Sequence, residues 1–78
     1  MKLPEIDMAA TGQRIRLLCA ERGISAEEIR DALRLSSIYV VIKWQLGQSV
    51  PDIHHLVRLA AYLNVPIDDI ICCREVVA

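Results

Sequence analysis

The chain has 78 residues, 54% of them hydrophobic and 24% charged, with a formal net charge of −1. A domain of this size can only just bury a sufficient core, which leaves little room for an enzyme cleft and argues for a binding protein over a catalyst. The near-neutral balance gives no global basic signal for nucleic acid, so that question passes to the local distribution of charge.

No stretch reaches the roughly 18 consecutive apolar residues of a membrane span, and the opening MKLPEIDM lacks the hydrophobic segment of a signal peptide. Cysteines number three, an odd count. Cys19 falls inside a helical pattern, and Cys72 and Cys73 are adjacent, without the CxxC spacing of a zinc or redox site. They read as small hydrophobes in a reducing compartment, so the expected location is the cytoplasm. His54 and His55, as neighbours on a helix, would diverge by about 100° and form no ligand pair. No metal or other cofactor is expected.

In chain order, Met8 to about Arg22 carries Ile15, Leu18 and Cys19 at helical spacing, and Gly23 supplies a left-handed stop. Ser25 and Glu28 form a capping box for a second helix whose inner face is Ile29, Ala32 and Leu33. The next run, LRLSSIYVVIKWQLGQSVP, could be a buried strand or a helix. Helix is favoured by the fresh N-cap at Ser36 or Ser37, by a buried face of Val40, Val41 and Trp44, by Gly47 as a stop, and by the absence of a second strand of comparable length. Pro51 and Asp52 then open a fourth helix with an inner stripe of Ile53, Leu56, Leu59, Ala60 and Leu63, closed by Asn64. A fifth, short helix is expected from about Ile67 to Cys73, with Asp68 and Asp69 at the end where the helix dipole favours anions.

The segments GQRIRLLCAERGISAEEIRDAL and KWQLGQSVPDIHHLVRLAAYLNVPIDDI resemble the phage-repressor-like (XRE, Cro/repressor) helix-turn-helix family over about Gly12 to Ile71. The most specific matches are RIRLL through RGIS, the tryptophan and glycine of KWQLG, the proline of SVP, and the LVRLAAYLNVPIDDI ending. The resemblance implies an all-α, compact five-helix, lambda-repressor-like domain spanning residues 1–78, with an N-terminal arm at 1–8 and an apolar tail at 74–78. The function it implies is sequence-specific binding of double-stranded DNA by a homodimer that regulates transcription.

Carried over position by position, the resemblance puts Ala26 to Leu33 on the positioning helix and Ser37 to Gln45 on the recognition helix. Val41 and Trp44 would face the core, and the expected DNA-facing residues are Ser37, Ile38, Tyr39, Ile42 and Lys43, with Gln48 and Arg34 beside them. Such positions commonly carry side chains that hydrogen-bond to base edges, so the isoleucines are unusual. Other departures are Ala26, where many members place a phosphate-holding glutamine, and Arg34, where many place a glycine. The Leu33–Trp44 segment is also longer by a residue than the commonest pattern. An arginine held in the left-handed region costs on the order of 1 kcal/mol, which predicts another path for this turn. An Arg–Glu pair frequent in the family is replaced as a pair by Cys19 and Gln45, so neither charge is left buried alone.

A second reading belongs to a different class. An exposed Ile38, Tyr39 and Ile42 patch also suits a protein-interaction module that keeps the fold and binds a protein partner. Apolar side chains can equally contact thymine methyls, and a tyrosine hydroxyl can donate to phosphate, so both readings stay open. Val76 and Val77, apolar and beyond the last family helix, are expected to be buried in a two-fold dimer.

Overall fold

A computed structural model describes residues 1–77. The chain runs through strand β1 (Lys2–Ile6), helices α1 (Met8–Arg22), α2 (Ala26–Leu33), α3 (Ile38–Gln45) and α4 (Ile53–Leu63), a single 3-10 turn at Ile67–Asp69, and strand β2 (Cys73–Val77). Among the described residues four helices therefore stand where five were expected, and the pair of strands means that the fold is not all-α.

The fifth helix stops after one turn. It has no side-chain cap at Pro66 and no buried residue of its own, and Ile70 just beyond it fills the core. Past that point the chain leaves for a strand, because the backbone of Cys72 is already committed to the start of α1. The Asp7 amide donates to the Cys72 carbonyl at 2.8 Å, and the Cys72 amide donates to the Thr11 hydroxyl at 3.0 Å. Thr11 is buried, and its hydroxyl donates back to the Cys72 carbonyl at 3.4 Å, so its polar atom is satisfied. The residues expected as arm and tail continue from this junction as an antiparallel pair, with Lys2 opposite Val77 and Ile6 opposite Cys73.

The core is one cluster built from Ile15, Leu18 and Cys19 of α1, Ile29 and Leu33 of α2, Val41 and Trp44 of α3, Leu56, Leu59, Ala60 and Leu63 of α4, and Ile70. Val40 packs against it only partly buried. Ile53, expected on the inner stripe, is 81% exposed. It is the first residue of α4, and the apolar stripe that meets the core begins one turn later at Leu56.

Helix α3 packs chiefly on α1 and α2. Its approach to α1 is closest at Gly12, where an added Cβ would lie 2.5 Å from the Trp44 carbonyl oxygen and 2.7 Å from that of Gln45. Gly47, with φ +73°, turns the chain directly over Ala9, where a Cβ would sit 2.9 Å from the Ala9 Cα. Two arginines serve as ties between elements. Arg22 Nε donates to the Leu63 carbonyl at 2.7 Å, and Arg14 Nε donates to the Asp69 carbonyl at 2.7 Å.

Two substitutions probe this packing. Trp44→Ala should cost about 3–5 kcal/mol, enough to unfold a domain this small. Gly12→Ala adds only a methyl group, yet it should cost about 1–3 kcal/mol because the atoms it meets are backbone that cannot rotate away. Urea denaturation followed by far-UV circular dichroism reads both, and a neutral Gly12→Ala would show that α1 and α3 can separate freely.

Candidate nucleic-acid interface

Helices α2 and α3 and the turn between them form a helix-turn-helix unit whose ends are pinned by local hydrogen bonds. Ser25 Oγ accepts from the Glu28 amide at 3.1 Å to start α2. At the other end Arg34 takes the left-handed conformation, φ 55° and ψ 47°, contrary to the expected detour. Its amide donates to the Asp31 carbonyl at 3.3 Å, and the Leu35 amide to the Arg30 carbonyl at 2.9 Å. This pair of bonds is the Schellman stop, in which the residue after the left-handed one is apolar and folds back onto the helix. Leu35 does so, packed against the core. The cost of a non-glycine residue there is offset by the two satisfied carbonyls and the partly buried leucine.

Ser37 then starts α3, its Oγ accepting from the Tyr39 amide at 3.1 Å. This serine, expected at the DNA, acts first as the helix cap and retains a hydroxyl proton to donate outward. At the far end the Gly47 amide donates to the Trp44 carbonyl at 3.2 Å and the Gln48 amide to the Lys43 carbonyl at 3.0 Å, a second Schellman stop.

With Val41 and Trp44 buried, the opposite side of α3 presents Tyr39, 68% exposed, Lys43, and Leu46 just past the helix, 57% exposed. Their spacing of i, i+4 and i+7 makes one continuous outer stripe. Ile38 and Ile42 are only half-buried shoulders of it. The structure thus brings Tyr39 and Lys43 together, flanks them with the exposed Arg34 and Gln48, and withdraws the isoleucines from the centre. Leu46 is not among the residues expected at the DNA, although its distance of seven from Tyr39 carries the same-face information.

Among the described residues, Lys43 and Arg34 are in no ion pair, whereas Arg30 is held by Asp31 at 2.9 Å. The first turn of α2 carries the exposed Glu27 and Glu28, so the cationic character of the unit lies on its turn and along α3. At the start of α4, Asp52 accepts from the His55 amide at 2.9 Å, and the His55 Nδ1 lies 3.0 Å from the same carboxylate. That amide bond first, and the imidazole second, hold the Asp52 carboxyl below its ordinary range. The His55 ring in turn lies 6.1 Å from the Trp44 ring, placing the cap of α4 beside the buried side of α3. No group of His, Cys, Asp or Glu among the described residues is arranged to hold a metal ion, and burial pushes the Cys19 thiol up, as suits a core side chain. No helix of the described chain is long and apolar enough to cross a membrane.

The arrangement has counterparts among solved structures. The restriction-modification controller protein C.AhdI from Aeromonas hydrophila superposes with a TM-score of 0.75 at 25% identity, over 82% of this chain and 96% of that one. The DNA-binding domain of BldD superposes with a TM-score of 0.69 at 18% identity, over 83% of this chain and 93% of that one. The likeness is one of fold. No protein-family model matches the sequence, and no curated protein matches it.

The left-handed turn can be tested separately from any ligand. Arg34→Gly should raise stability by about 0.5–1 kcal/mol, because relief of the left-handed strain exceeds the added freedom of the unfolded chain. A fall in the urea midpoint would mean that the arginine side chain contributes more to the folded state than its backbone costs.

Proposed function

We propose that this chain is a sequence-specific, DNA-binding transcriptional regulator, a binding protein and not an enzyme, acting in the cytoplasm as a single domain and as a two-fold homodimer. Helix α3 enters the major groove with Tyr39 and Lys43 toward the DNA, Arg34 and Ser37 at one flank and Gln48 at the other. The observation that carries this reading is the Tyr39–Lys43–Leu46 stripe on a helix fixed at both ends, in a unit that also presents the unpaired cation Arg34. Support comes from the fold shared with a restriction-modification controller protein and with a DNA-binding domain. In this reading Tyr39 reads or abuts base edges, the apolar Leu46 and the rims of Ile38 and Ile42 contact thymine methyls, and Lys43 meets a phosphate or a guanine edge.

The same stripe supports a second reading. Two of its three residues are apolar or aromatic and well exposed, and the chain as a whole is slightly acidic, which suits a protein partner docked on α3.

Binding to the DNA upstream of the chain's own coding sequence, measured at several salt concentrations, separates these readings. If Lys43 contacts phosphate, Lys43→Ala weakens binding to all sequences alike and reduces the salt slope by about one unit; if it reads guanine, the loss is about 1–3 kcal/mol at one base pair. Tyr39→Ala should alter sequence preference more than salt dependence. Unchanged DNA affinity in both variants, together with loss of a co-purifying protein in Ile42→Asp, would assign the stripe to a protein partner.

A further inference from the structure

The ribbon of β1 and β2 has no evident role in holding the core. Its two strands contact mainly each other, nearly all its residues are exposed, and it extends a molecule measuring 42 × 22 × 20 Å. A lone two-stranded ribbon is marginal in water, so its two free edges raise the question of what completes the sheet.

The hydrogen-bond parity distinguishes the edges. Asp7 donates to the Cys72 carbonyl, and in an antiparallel ladder bonded pairs alternate with unbonded ones. Following the register, Glu5–Arg74 and Leu3–Val76 are bonded pairs, and Ile6–Cys73, Pro4–Glu75 and Lys2–Val77 are unbonded ones. The backbone groups of the unbonded pairs face outward. On the β1 edge the central position is therefore Pro4, which has no N–H, with Lys2 beside it, two devices that blunt an edge. On the β2 edge Cys73, Glu75 and Val77 each present both an amide and a carbonyl, and Val77 is 80% exposed. One edge is closed and the other is open.

We propose that the open edge of β2 pairs antiparallel with β2 of a second copy of this chain, making a continuous four-stranded sheet across a two-fold axis. This rests on the dimeric part of the function proposed above and supplies its interface. Charge selects the register. Parity allows the axis to pass through Arg74, Glu75 or Val76, and the first two would set like charges directly opposite each other. Only the axis through Val76 avoids this. There Val76 faces Val76 of the second copy, Glu75 and Val77 exchange backbone hydrogen bonds between copies, and Leu3, which shares a face with Val76, extends an apolar stripe across all four strands. The self-complementary edge satisfies the requirement of an isologous interface, that one patch serve both partners.

The test uses the full chain without DNA, so that failure of the interface is separate from failure of DNA binding. Glu75→Pro removes an outward amide that takes no part in the internal ladder. Sedimentation equilibrium should show the dimer dissociation constant raised by about tenfold or more, with the helical circular dichroism unchanged. Lys2→Pro, on the closed edge, should leave the dimer unchanged. For the register, Val76→Cys in a Cys72→Ser, Cys73→Ser background should oxidise to a disulfide-linked dimer, since the unbonded pair brings the two Cα atoms within about 4.5 Å. Glu75→Cys in the same background should not. A folded chain that stays monomeric at every concentration, a Glu75→Pro variant that still dimerises as the parent does, or preferential cross-linking through Glu75→Cys would each overturn the proposal, whereas DNA binding by a monomer would remove only the dimeric part of the functional reading and leave its DNA-binding part standing.

Discussion

The structure depends on how closely α1 can lie against the end of α3. At Gly12 there is no space for a single methyl group, because the carbonyl oxygens of Trp44 and Gln45 occupy it. This contact sets the height at which α3 sits, and with it the depth to which Trp44 enters the core and the degree to which Tyr39, Lys43 and Leu46 stand clear of it. Gly47 repeats the constraint one turn later by folding the chain over Ala9. A backbone-to-backbone approach is stiffer than side-chain packing, since neither partner has a rotamer to change. The outer stripe is therefore presented by a rigid element, the condition for reading a defined surface of another molecule.

Local hydrogen bonding does the remaining positioning. Helices α1, α2 and α4 close on residues with positive φ, Gly23, Arg34 and Asn64, and each stop brings the next residue, Ile24, Leu35 or Val65, back onto the core. Arginine usage follows the same pattern. Arg14 and Arg22 donate to carbonyls at the 3-10 turn and at the end of α4, and Arg30 is matched by Asp31. Four of the nine cationic side chains thus have intramolecular partners, counting the Arg74–Glu5 pair, and on the helix-turn-helix unit Arg34 and Lys43 are the cations in no ion pair among the described residues. A near-neutral sequence is compatible with such a site, because it is the unpaired cations near α3 and not the total that a phosphate backbone would meet.

The terminal ribbon is organised from the same junction. Thr11 uses one buried hydroxyl to serve both backbone groups of Cys72, and Asp7 both caps α1 and donates its amide to the Cys72 carbonyl. The strands leave the domain from this point as a pair, held by backbone bonding and an Arg74–Glu5 ion pair at 3.0 Å that, being exposed, adds little. Pro4 is accommodated because it lies at a position whose amide would have faced outward.

The sequence by itself determined the four helices, the caps at Gly23, Ser25, Ser37, Asp52 and Asn64, and most of the core, because each depends on spacing within a dozen residues: Ser25 with Glu28, Asp52 before Ile53, and Val41 with Trp44. It also carried the likeness to DNA-binding domains and singled out Tyr39 and Lys43. Only the tertiary structure decided the rest. The short 3-10 turn in place of a fifth helix, and the pairing of residues 2–6 with 73–77, follow from contacts between opposite ends of the chain, which leave no local periodicity. Arg34 adopts the left-handed turn because Leu35 gains a core contact that a per-residue cost cannot anticipate. Ile53 is exposed and Ile42 half-hidden because exposure depends on which neighbouring elements reach a position: Ile53 stands at the first residue of α4, a turn before the stripe that meets the core.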